Sequence, residues 1–190
     1  MDLPGSPGPG YRIMKTAVFL DRDGVLNNSE VRNGRAYAPL TLDQFRIFEE
    51  APFQVDRLRS AGFLCIVFTN QPDAGRGVLP LATLEEMNEC LRSQIKLDDL
   101  FVCIHDNHDG CNCRKPKPGM LLQASKKWGI DLKNSYVIGD RGCDIEAGQA
   151  VGCYSILIDR SYSDCSTADA KALNLTEAID IVLIKSGCLK

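Results

Sequence analysis

Long apolar runs are missing from this chain. The longest, Phe63 to Phe68, has six residues, far short of the roughly 20 that a membrane-spanning helix needs. A basic excess is missing too. Lys and Arg number 22 against 25 Asp and Glu, for a net charge of −3, so no large cationic field is available to hold nucleic acid. The N-terminus lacks the charged-then-apolar pattern of a secretory signal, which makes the cytoplasm the expected compartment. No internal repeat is visible. None of these absences touches a local phosphate site, which needs only a few cations.

The 190 residues are enough for one α/β domain with a real core. Residues 2–10, rich in Gly and Pro, read as a disordered tail. Met14 is an alternative functional start, so the expected organisation is a tail over 1–13 and one domain over 14–190. Nine cysteines are many. Without a leader and in a chain this long, metal binding or free thiols are favoured over a disulfide framework. Six of them (Cys65, Cys90, Cys143, Cys153, Cys165 and Cys188) are scattered and read as small hydrophobes.

Apolar runs alternate with helical patterns. Strands are expected at Thr16–Leu20, Leu64–Phe68, Leu100–Ile104, Tyr136–Ile138 and Tyr154–Ile158. Helices are expected around Phe53–Ala61, around Leu84–Ile95 with Thr83 and Glu86 as a capping box, over Pro118–Trp128, near Ile145–Ala150, and around Leu175–Ile184. Ile181–Ile184 reads equally as strand. Residues 28–45 form a loop with room for a short hairpin. Strands separated by helices imply βαβ units and a mostly parallel sheet. Four strands run into polar residues at their carboxyl ends: Asp21/Asp23, Thr69/Asn70, His105 and Asp140. Parallel pairing would gather these at one sheet edge, where open α/β sheets bind ligands.

Asp21, Asp23, Asp140 and Asp144 supply carboxylates, hard oxygen donors that suit Mg²⁺. Thr69 offers a hydroxyl, and Arg114 and Lys115 adjacent cations. Acids, a cation clamp and Mg²⁺ are what phosphoryl transfer requires: positioning and charge neutralisation. Read alone, Asp21-Arg22-Asp23-Gly24 is equally a solvated turn, Thr69 a strand-end cap and Lys115 a solvated charge.

Taken in order, Asp21-x-Asp23-Gly24, Thr69-Asn70-Gln71, Arg114-Lys115-Pro116 and Gly139-Asp140-x-x-x-Asp144 resemble the four motifs of the haloacid dehalogenase (HAD) superfamily of phosphatases. The resemblance covers about residues 16–160. It implies a three-layer Rossmann-like fold with a central parallel sheet. It implies that Asp21 is the nucleophile and Asp23 the general acid/base, with its backbone carbonyl on Mg²⁺. Thr69 and Lys115 would hold the phosphoryl oxygens. Mg²⁺ would be held by Asp21, Asp23 and Asp140, with Asp144 in support. The second acid, Asp23, favours phosphotransfer over dehalogenation.

Cys103-x-His105 and Cys111-x-Cys113 flank a short turn. Three sulfurs and one nitrogen compose a closed structural Zn²⁺ site, with His108 read as exposed. Zinc would staple a loop with little apolar content and fix Arg114 and Lys115 at the mouth of the site. This loop, with Pro118-Gly119-Met120 after it, resembles the D-glycero-D-manno-heptose 1,7-bisphosphate phosphatases and is similar to the histidinol-phosphatase domain. Both lack a large cap domain, and the interval from Asn27 to Ala51 is too short for one. The resemblance implies a small sugar phosphate as partner, with Asn70, Gln71, Arg114 and Arg141 contacting the sugar or its second phosphate, and Arg76 as a weaker contact. Arg141 stands where some of these enzymes carry lysine, Pro72-Asp73-Ala74 departs from their commoner loop, and Asn33–Asp43 is longer than expected. A monomer is expected. The alternatives are histidinol-phosphate hydrolysis and a non-catalytic phospho-ligand module on the same fold.

Overall fold

Period-2 alternation is visible in every central strand. In β1 (Ala17–Leu20), Val18 and Leu20 enter the core on one face while Ala17 and Phe19 enter the core on the other. Cys65 and Val67 alternate with Ile66 and Phe68 in the same way in β4 (Leu64–Asn70). A strand buried on both faces must be covered on both, and parallel crossovers place helices there. The computed structural model describes residues 14–163 and 167–189; the tail expected over 1–13 lies outside the described residues.

Six parallel strands form the sheet in the order β5-β4-β1-β6-β7-β8, with β5 at Asp99–Cys103, β6 at Tyr136–Gly139, β7 at Tyr154–Ile158 and β8 at Ala170–Ala172. Helices α1 (Ala51–Ser60), α3 (Leu81–Gln94) and α6 (Leu175–Lys185) bury Leu58, Met87 and Ile179 against one face. Helices α4 (Gly119–Trp128) and α5 (Gly142–Gln149) bury Leu121 and Ala147 against the other. This is the three-layer α/β architecture expected. The interval before α1 holds only an antiparallel hairpin, β2 (Glu30–Arg32) and β3 (Arg35–Tyr37), so there is no large cap there.

One local expectation is corrected and one open reading is resolved. Thr83 and Glu86 form no capping box, because α3 already begins at Leu81 behind Pro80, and its cap makes no side-chain bond. Ile181–Ile184 is helical: Asn174 Oδ1 accepts the Glu177 N–H at 2.9 Å and starts α6. Two short elements were not anticipated, β8 and the single turn α2 (Pro72–Gly75). Among the described residues no helix is long and apolar enough to cross a membrane.

Strand order reverses at β1, the position where a crevice opens between the outgoing connections. Leu20 pairs with both Val67 and Ile138. Asp21, Thr69 and Asp140 therefore leave the sheet within two residues of one rung.

Candidate active site

The chain turns sharply after Asp21. The Arg22 carbonyl accepts the amides of Leu26 and Asn27, and Gly24 N–H donates to the Asn27 carbonyl at 2.7 Å. Gly24 has φ +89°, and a Cβ there would lie 2.0 Å from Asp140 Oδ2. Only glycine lets this turn close against the neighbouring strand end.

Lys115 is 4% exposed, and each of its three protons has an acceptor. Nζ lies 2.8 Å from Asp21 Oδ1, 2.6 Å from Asp144 Oδ1 and 2.9 Å from the Phe68 carbonyl oxygen. Burial opposes the ammonium charge, but Asp144 and Asp21 outweigh it and hold Lys115 protonated well above the usual lysine range. Burial pushes Asp21 up to about 6 against the pull of Lys115, with Asp144 and Asp23 adding to the rise. Burial likewise pushes Asp140 up to about 8, helped by Asp21 and Asp144. Three carboxylates beside one lysine leave an excess of negative charge out of water, an arrangement that calls for a further cation.

A divalent cation fits. Asp21, Asp140 and Asp144 each bring a carboxylate oxygen within 4.8 Å of the others, and Asp140 Oδ1 is buried with no partner among the described residues. Asp144 is committed elsewhere: besides Lys115, its Oδ2 accepts the Arg141 N–H at 3.0 Å. That leaves Asp21 and Asp140 as the available oxygen donors, the composition Mg²⁺ prefers.

Asp23 is gripped from behind. Arg22, fully buried, forks onto both of its oxygens at 3.1–3.3 Å and reaches Asn88 Oδ1 on α3 at 3.1 Å. Asn27 Nδ2 donates to Asp23 at 2.8 Å and Gln71 Nε2 at 2.6 Å. Gln71 also donates to Thr69 Oγ1 at 2.9 Å, so the hydroxyl proton of Thr69 stays available to a ligand.

A cavity of about 320 Å³ opens over these groups. Asp21, Asp23, Thr69, Asn70, Arg114, Lys115 and Arg141 line it, with Ala36 and Tyr37 of the hairpin as its outer wall. Gln71 is 1% exposed and stands behind the carboxylates rather than in the lining. Asn70 clasps the Lys115 backbone in both directions, Nδ2 to the carbonyl at 3.2 Å and Oδ1 from the N–H at 3.1 Å. Arg141 Nη2 donates to the Ala36 carbonyl at 2.8 Å and so ties down the hairpin. Arg76 is spent on the surface pairs with Asp73 and Asp106 and is outside the lining. Arg22, Asn27, Asn88 and Tyr162, whose hydroxyl donates to Asp140 Oδ2 at 2.7 Å, were not anticipated. Of these only Arg22 carried a signal, a basic residue set between two acids.

Beside the cavity Cys103, His105, Cys111 and Cys113 converge. Cys103 Sγ lies 3.8 Å from Cys111 Sγ, 3.2 Å from Cys113 Sγ and 3.6 Å from His105 Nδ1, and Cys113 Sγ lies 3.3 Å from His105 Nδ1. A zinc–sulfur bond of about 2.3 Å in a tetrahedron spaces its sulfurs roughly 3.8 Å apart, so the cluster fits a structural zinc ion. The Arg114 amide N–H points at Cys111 Sγ at 3.4 Å, while its guanidinium is held by Asn107 Oδ1 at 2.7 Å and the His105 carbonyl at 3.1 Å. The loop thus carries Arg114 and Lys115 to the cavity. His108 is exposed.

Comparison with known proteins agrees with this geometry. Residues 112–183 match the HAD-hydrolase-like family. The structure resembles that of the D,D-heptose 1,7-bisphosphate phosphatase from B. bronchiseptica complexed with magnesium and phosphate, with a TM-score of 0.76 and 26% identity over 90% of this chain and 99% of that one. The D-glycero-beta-D-manno-heptose-1,7-bisphosphate 7-phosphatase of Helicobacter pylori J99 is 34% identical over 86% of this chain and 95% of its own length. That of Pseudomonas aeruginosa is 37% identical over 76% of this chain and 81% of its own. The chain therefore belongs to the D-glycero-D-manno-heptose-1,7-bisphosphate 7-phosphatase family of HAD-type phosphatases.

Proposed function

We propose that this chain removes the C7 phosphate of D-glycero-D-manno-heptose 1,7-bisphosphate through an aspartyl-phosphate on Asp21, acting as a cytoplasmic monomer whose one domain spans residues 14–190. The observation that carries the reading is the meeting of Asp21, Asp23, Thr69, Lys115 and Asp140 at one sheet edge, beneath a cavity walled by two guanidinium groups.

Asp21 attacks phosphorus and the sugar oxygen leaves with a proton from Asp23. Asp23 then takes a proton from water, which attacks the phosphorus of the acyl phosphate and regenerates Asp21. The Arg22 fork and the Asn27 and Gln71 amides orient Asp23 for this exchange. The Thr69 hydroxyl donates to a phosphoryl oxygen, and Lys115 does so with the proton it otherwise gives to Asp21, which is released as Asp21 attacks. Asp21 and Asp140, with the Asp23 backbone carbonyl, would hold Mg²⁺, which would supply neutralisation of charge on the transferring group. Arg114 and Arg141 each spend part of their donors on backbone carbonyls. Both residues line the cavity, and a second phosphate on the substrate suits two guanidinium groups there. Cys103, His105, Cys111 and Cys113 would hold a zinc ion that would fix the loop.

The test is phosphate release with Mg²⁺ from a panel containing both anomers of the heptose bisphosphate, heptose 7-phosphate and histidinol phosphate. The expected result is the highest kcat/KM on a bisphosphate anomer, with no release by Asp21→Asn. A higher kcat/KM on histidinol phosphate overturns the substrate, and an active Asp21→Asn overturns the nucleophile.

A further inference from the structure

The segment after β7 folds back onto the site with three side chains. Arg160 N–H donates to Ser163 Oγ at 2.9 Å, and Ser163 N–H donates to the Arg160 carbonyl at 2.9 Å. This reciprocal pair closes a turn and presents Tyr162 between its ends. Arg160 Nη2 reaches the Gly24 carbonyl at 3.0 Å, Ser163 Oγ the Asp140 carbonyl at 2.7 Å, and Tyr162 Oη the Asp140 side chain at Oδ2, also 2.7 Å away.

The two oxygens of Asp140 are thereby made different. Oδ2 accepts from the Tyr162 phenol, while Oδ1 is buried and unpartnered among the described residues. A carboxylate without such a bond rotates freely about its last torsion and presents either oxygen in many directions. The phenol removes that freedom. A Cβ on Gly24 would fall 2.7 Å from Tyr162 Oη as well as 2.0 Å from Asp140 Oδ2, so the backbone beside Asp23 packs directly against the pair and holds it in place. The free oxygen is the one left for the cation.

We infer that Tyr162 is a positioning residue for divalent-cation binding: its hydroxyl fixes the Asp140 carboxylate so that Oδ1 is preset as a metal ligand. The inference rests on the Mg²⁺ site of the proposed function. It adds that the affinity of that site depends on a residue 22 positions further along the chain, outside every motif of the sequence. Hydrogen-bond partners of ligating carboxylates are worth about 10–100-fold in metal affinity.

The experiment is a Mn²⁺ titration of the purified, substrate-free protein with its zinc retained, read by electron paramagnetic resonance of free Mn²⁺, which takes the same oxygen ligands as Mg²⁺. Tyr162→Phe removes one oxygen and keeps the ring. Its Kd should rise about tenfold or more, while its melting temperature without added Mn²⁺ stays within about 4 °C of the parent. Ser163→Ala keeps the phenol and removes the Ser163 Oγ bonds to the Asp140 carbonyl and from the Arg160 N–H, so it loosens the turn without removing the donor and should raise the Kd less than Tyr162→Phe does. In turnover, the Mg²⁺ concentration for half-maximal rate should rise by the same factor as the Kd, with substrate KM at saturating Mg²⁺ unchanged. A Tyr162→Phe Kd within twofold of the parent overturns the inference. Equal weakening by both variants assigns the effect to the turn as a whole and overturns it too. A parent that binds no Mn²⁺ overturns the metal site itself, a separate outcome read from the parent alone.

Discussion

Gln71 shows how a residue chosen for one task performs another. Its place beside Thr69-Asn70 made it a candidate for the sugar. The fold turns it inward, where one amide nitrogen bridges Asp23 and Thr69 and little of the side chain is exposed. Gln71→Met keeps the volume and removes the donor. A buried hydrogen bond to a charged group contributes about 1.5–3 kcal/mol, and its loss here falls on the groups that move the proton and hold the phosphoryl oxygen. The variant should lose roughly tenfold or more in kcat with substrate KM within about twofold. Steady-state kinetics check this, and a rise in KM at constant kcat would return Gln71 to the sugar. The acids themselves were legible because a strand ending in Asp-x-Asp is a local pattern. The support behind them was not, since Gln71 reaches Asp23 from 48 positions away and Asn88, which holds Arg22, comes from a helix 66 positions away, and only tertiary approach makes these contacts.

At the scale of elements, the connections after the strands divide into a stapled loop and a tied hairpin. The loop from Cys103 to Lys115 has a 3-10 turn at Asn107–Asp109, capped by Asp106, and little apolar surface. Its order comes from the four ligands, and ligand binding to the folded state is folding free energy. Purified protein should contain close to one zinc per chain by metal analysis. Cys111→Ser should lose it, melt several degrees lower and turn over more slowly, with Asp21 untouched. Zinc retained at full stoichiometry with an unchanged melting temperature would remove the staple. The cysteine spacing made this loop readable from sequence. The hairpin was legible as a short hairpin within residues 28–45 but its strands were not placed, because Glu30–Arg32 and Arg35–Tyr37 are largely exposed and carry no core periodicity. β8 was invisible for a related reason: Ala170-Lys171-Ala172 has no apolar run, and it becomes a strand by pairing with Ile156–Ile158.

Across the whole molecule, the alternation of strands and helices foretold a parallel sheet but not its order, and the order β5-β4-β1-β6-β7-β8 places β1 where the chain reverses. Topology collects acids from β1, β6 and α5 around one lysine from the zinc loop, so Lys115 joins parts of the chain that share no local contact. Removing one partner of a buried ion pair costs about 3–5 kcal/mol, because the other charge is left uncompensated. For a chain of this size each kcal/mol shifts the melting temperature by about 2–4 °C. Lys115→Met, which keeps the stem and loses the charge, should therefore melt roughly 6–20 °C below the parent without Mg²⁺. Mg²⁺ faces the same carboxylates, and in the variant the ammonium no longer competes for them. Saturating Mg²⁺ should raise the melting temperature of Lys115→Met by more than it raises that of the parent, while phosphate release stays abolished. Calorimetry of both proteins with and without Mg²⁺ decides the point. Equal increments would mean that lysine and cation compensate different carboxylates, and that the charge excess at the sheet edge is balanced in two separate places.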